Sequence, residues 1–154
     1  MQTGQHSFVS NNIATGTIAG TTREELLKGI KIIYTRFHDS LSELYAHIPR
    51  DNVPTIQIAL QPIGASWIQA SERSGGNPMG LNPSKVYICY VILISWIGPE
   101  YNNVVTAWLA QLTYGINKAT RASGVYDPFK YMYVNLPFLG TWWLAKIGFP
   151  KIQC

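Results

Sequence analysis

Charge is what this sequence has least of. Only 13% of its 154 residues are Asp, Glu, Lys or Arg, against roughly a quarter in ordinary soluble domains. The twelve basic and eight acidic residues give a net charge of +4. The bases are scattered, from Arg23, Lys28, Lys31 and Arg36 to Arg50, Arg73, Lys85, Lys118 and Arg121. No basic run or stripe forms, so a solvated surface is the expectation and a nucleic-acid partner is not. Cysteine is equally sparse. Cys89 falls inside an apolar stretch and Cys154 is the last residue; neither a disulfide framework nor a zinc pattern follows. The longest apolar run, 86–96, is well short of the ~18 residues that a membrane helix needs, which argues against a membrane partner. The first residues carry neither a basic nor an apolar signal region, so no signal peptide is expected.

Recognisable catalytic patterns are also lacking. There is no His-Glu-x-x-His, no Cys-x-x-Cys and no Gly-x-Gly-x-x-Gly. Carboxylates are few, and most sit at helix starts or turns. His6 stands alone, and His38 and His47 fall in one helical half, where a solvated position near a helix end explains them without a metal. The loop 71–81 holds three glycines but lacks the spacing of a phosphate cradle; they are expected to serve turns.

What is present is apolar: 47% of the residues are hydrophobic, enough for a sizeable core in one domain. The stretch 85–135 reads as strand, helix, strand and organises the rest. Residues 86–96 (VYICYVILISW) carry no charge, and both alternating sets are mostly hydrophobic. A strand of that kind is central and covered on both faces. Residues 101–123 follow a helical pattern with apolar steps at Val105, Trp108 or Leu109, Leu112, Ile116 and Ala119, and Gly124 at the C′ position. Residues 131–134 (YMYV) read as a short strand beside the long one, closed by Asn135.

Upstream, Thr22 and Glu25 form a capping box. Apolar residues then recur at Leu26, Ile30, Ile33, Phe37, Leu41 and Leu44, one stripe of a helix over about 22–46 that Pro49 ends. Thr55 to Leu60 alternates strictly, as a half-buried strand stopped by Pro62. Residues 1–22 are polar, with two short candidate strands at His6–Val9 and Thr15–Ile18. The expected fold is α+β, an antiparallel sheet with helices on one face.

One constellation carries possible chemistry. Tyr131, Tyr133 and Asn135 alternate on a strand, and Gln57 and Gln61 lie on or beside a neighbouring one. Such side chains suit a flat heteroaromatic ligand by stacking and amide hydrogen bonds. Ordinary core packing, with Asn135 at a strand end, is the plainer reading of the same residues.

Three segments add a resemblance. Residues 55–62 (TIQIALQP) followed by 75–81 (GGNPMGL) are similar to a strand ending in Gln-Pro and a Gly-Gly-Asn-x-x-Gly-Leu loop. The long apolar strand closes on Ser95 and Trp96 before a turn and a helix. Residues 127–135 (DPFKYMYVN) are similar to a Pro-Tyr-x-Tyr-x-Asn-Tyr-Ala segment. In this order and spacing, over roughly 20–135, they resemble the C-terminal half of fungal FAD-linked oxidoreductases of the vanillyl-alcohol-oxidase type, the group that includes the berberine-bridge-like enzymes.

The resemblance implies a substrate-binding domain whose inner sheet face roofs a flavin. Tyr133 and Asn135 would face the FAD and its substrate. Gln57, Gln61 and Tyr131 would lie near the small-molecule substrate. The parent chemistry would be hydride transfer from substrate to flavin, reoxidised by oxygen. Two departures stand against a working enzyme. The flavin-binding domain that would be this region's partner has no counterpart here. After Asn135 the family's Tyr-Ala gives way to Leu136, Pro137 and an off-pattern tail, so the chain divides into 1–135 and 136–154 and reads as a fragment. The alternative from another class is a standalone, non-catalytic α+β module that binds a hydrophobic small molecule or self-associates through its apolar sheet face.

Overall fold

The computed structural model describes residues 9–77 and 79–129. A four-stranded antiparallel sheet carries two long helices on one face. In chain order the elements are β1 (Val9–Gly20), α1 (Arg23–His47), β2 (Thr55–Ile63), α2 (Ala65–Arg73), β3 (Val86–Ile97), α3 (Asn102–Ala122) and β4 (Tyr126–Asp127). The strands lie in the order β2-β3-β1-β4. With α2 as an insertion, this is the β-α-β-β-α-β, ferredoxin-like plan.

β3 is central, as its charge-free sequence requires. β1 pairs with it from Val9 opposite Ile97 to Gly20 opposite Val86. β2 pairs on the other side from Thr55 opposite Ser95 to Ile63 opposite Tyr87. The sequence reading placed a strand of Tyr131 to Val134 beside β3. Those residues lie outside the described ones; among the described strands β3 is flanked by β1 and β2. The described last strand is Tyr126–Asp127, which pairs with Ile18 and Thr17 of β1.

β1 itself departs from expectation: it runs for twelve residues, well beyond the expected Thr15–Ile18, while His6–Phe8 lie outside the described residues. Its glycines and asparagines have weak strand preference of their own, and the long apolar partner overrides it. β2 also runs further than expected, through Pro62 to Ile63. The Ala19 N–H donates to the Val125 carbonyl on the β4 side at 2.9 Å. Odd residues of β1 therefore turn their backbone polar groups outward and even ones toward β3. Carried across the two registers, this alternation points the even residues of β2 away from β3. Pro62 thus sits on an edge strand with its missing N–H facing outward, where proline is tolerated.

The helices follow their sequence signals. At the start of α1, Glu25 N–H donates to Thr22 Oγ1 at 3.2 Å, and Glu25 Oε2 accepts from the backbone of Thr21 at 2.7 Å and Thr22 at 3.2 Å. These bonds favour the carboxylate and hold its pKa below the ordinary value. Ile33, Phe37 and Leu44 are buried beneath α1, with Leu26, Ile30 and Leu41 packed beside them. Gly29 lets α1 approach the sheet: a Cβ there would clash with Ile18 Cδ1. α3 buries Val105, Trp108, Leu109, Leu112 and Ile116. The last buried position is Thr120 rather than Ala119, and its hydroxyl donates to the Ile116 carbonyl at 2.9 Å. Gly124 ends α3 at φ +80°, the left-handed cap expected of it. Trp108 Nε1 ties α3 to α1 by donating to the Ser40 carbonyl at 2.9 Å.

The main core lies between this helix pair and the even residues of β3: Ile88, Tyr90, Ile92, Ile94 and Trp96. A smaller cluster lies on the opposite face at one end of the sheet. It joins Ala19, Ile63, Tyr87 and Cys89 to Ile68 of α2 and Leu81, with Met79 and Phe129 against them. Among the described residues, no helix is long and apolar enough to cross a membrane.

Candidate functional site: the helix-free face of the sheet

Because side chains alternate along a strand, the helix pair claims one set and leaves the other. The set turned away from it comprises the odd residues of β1, β2 and β3. None of these positions carries a charged side chain. At one end, α2 and the loop after it cover this face. Toward the other end no described element packs on it: Ile13, Leu93 and the buried Val91 belong to neither packed cluster. Leu93 and Ile13 remain partly exposed although both lie in the two central strands.

Gln57 and Gln61 are on this face. Gln57 is opposite Leu93, and Gln61 is opposite Cys89; both side chains are exposed. Four residues of strand separate them, about 13 Å along β2, so Gln57 lies beside Leu93 and Gln61 near the end covered by α2. Tyr131, Tyr133 and Asn135 lie outside the described residues.

The sequence reading missed the polar groups that β1 supplies. The Ser95 hydroxyl donates to Asn11 Oδ1 at 2.6 Å across the β1–β3 pair. The Thr17 hydroxyl lies 3.7 Å from the Cys89 sulfur. Thr15 stands between these pairs, opposite Val91. The signal that would have found them is the alternation Asn11, Ile13, Thr15, Thr17 and Ala19, which is visible once 9–20 is treated as one strand.

Chemically this surface is quiet. Cys89 is buried, and burial, followed by the charge of Asp127, pushes its thiol pKa up; the Thr17 hydroxyl opposes that only partly. Such a thiol is a packing group and not a nucleophile. No cluster of three or more His, Cys, Asp or Glu occurs among the described residues. The face therefore offers an apolar floor of Ile13, Val91 and Leu93 bordered by neutral donors and acceptors. It can hold a flat, largely apolar body and fix its orientation; no charged side chain stands among the described strand residues of this face.

No family model, curated protein or solved structure matches the chain.

Proposed function

We propose that this chain is the substrate-binding portion of an FAD-dependent oxidoreductase, inactive without a separate flavin-binding domain. The observation that carries the reading is the one-sided sheet. Its central strand, β3, is apolar on both faces, yet α1 and α3 pack on one face only. A flat ring system seated over Val91 and Leu93, with Gln57 at its edge, would supply the missing cover. The flavin would bring the hydride chemistry, and the chain would supply placement and a dry floor. The quiet chemistry of the open face fits that division.

The alternative, a standalone module that holds a hydrophobic small molecule on the same face, draws on the same exposed Leu93 and Ile13. Titration with FAD, followed by methyl and amide NMR, separates the two. Weak shifts confined to Ile13, Gln57, Val91 and Leu93, with no flavin co-eluting on gel filtration, are expected. A stoichiometric yellow complex from the chain alone contradicts the dependence on a second domain. Absence of any shift at saturating FAD contradicts the flavin reading and leaves the standalone module.

A further inference from the structure

We draw no further inference here: the strongest candidate, the hydrogen-bonded side-chain pair of Asn11 and Ser95 on the helix-free face of the sheet, belongs to the site already described, and nothing in the structure shows what covers it.

Discussion

Neighbouring residues on β3 give a direct measure of how differently its faces are built. Ile92 is fully buried against the helix pair, at 0% exposure. Leu93, the next residue, is partly exposed on the helix-free face and belongs to no packed cluster. Each side chain loses three carbons on replacement by alanine. At ~0.8 kcal/mol per buried carbon, Ile92→Ala forfeits about 2.4 kcal/mol of transfer free energy. The cavity left between sheet and helices adds to this, for a total of about 3 to 4 kcal/mol. Leu93→Ala leaves no enclosed cavity and removes carbons that already touch water, so about 1 kcal/mol is expected. Urea unfolding of the two variants, with equal slopes, reads the difference as a shift in midpoint. Equal losses of 3 kcal/mol or more would show that the helix-free face is as enclosed as the other, and the reasoning from an open face would fail.

Three further outcomes follow from particular contacts. Gly16→Ala would drive a Cβ into the Tyr90 hydroxyl and Cζ; a loss of about 1 to 3 kcal/mol in urea unfolding is expected from the forced shift of that ring. Tyr90 is buried, and burial, followed by the nearby Tyr126, pushes its hydroxyl up to about 12 from 10.0. The folded state thus holds this proton longer than the unfolded chain does. The stabilisation is complete below pH 10 and lost as pH rises to about 12, an effect of up to about 2.7 kcal/mol. Tyr90→Phe, which gives up only a 3.4 Å hydrogen bond to Asn117 Oδ1, should unfold with a flatter profile over that window. Thr22→Ala removes the acceptor for Glu25 N–H, and a loss of about 1 kcal/mol is expected by thermal or urea unfolding.

The parts of the fold that were legible in the sequence share one property: local pattern and tertiary role agree. The capping box at Thr22 and Glu25, the helical stripe through Ile33 and Phe37, and the charge-free run of β3 each state their environment in their own residues. β1 does not. Its Asn and Gly residues are poor strand formers, and pairing with β3 makes the twelve residues from Val9 to Gly20 one strand. That single misreading hid half of the site, because Asn11, Thr15 and Thr17 reach the helix-free face only through β1. The extension of β2 past Pro62 was hidden for a related reason, since proline's meaning depends on whether the strand is at an edge. The site was legible only where it lies on alternating strands: Gln57 and Gln61 share a face by simple parity, and Val91 and Leu93 could be assigned to one once a cover was sought for β3.

The account rests on the helix-free face being the binding face, and photolabelling tests that most directly. The chain would be irradiated with an azido-substituted flavin and the modified peptides mapped by mass spectrometry. Labels on the segments that hold Asn11 to Thr15, Thr55 to Gln61 and Val91 to Ser95, competed away by unlabelled FAD, are the predicted result. Labels spread over the exposed sides of α1 and α3, or none that FAD displaces, would contradict it.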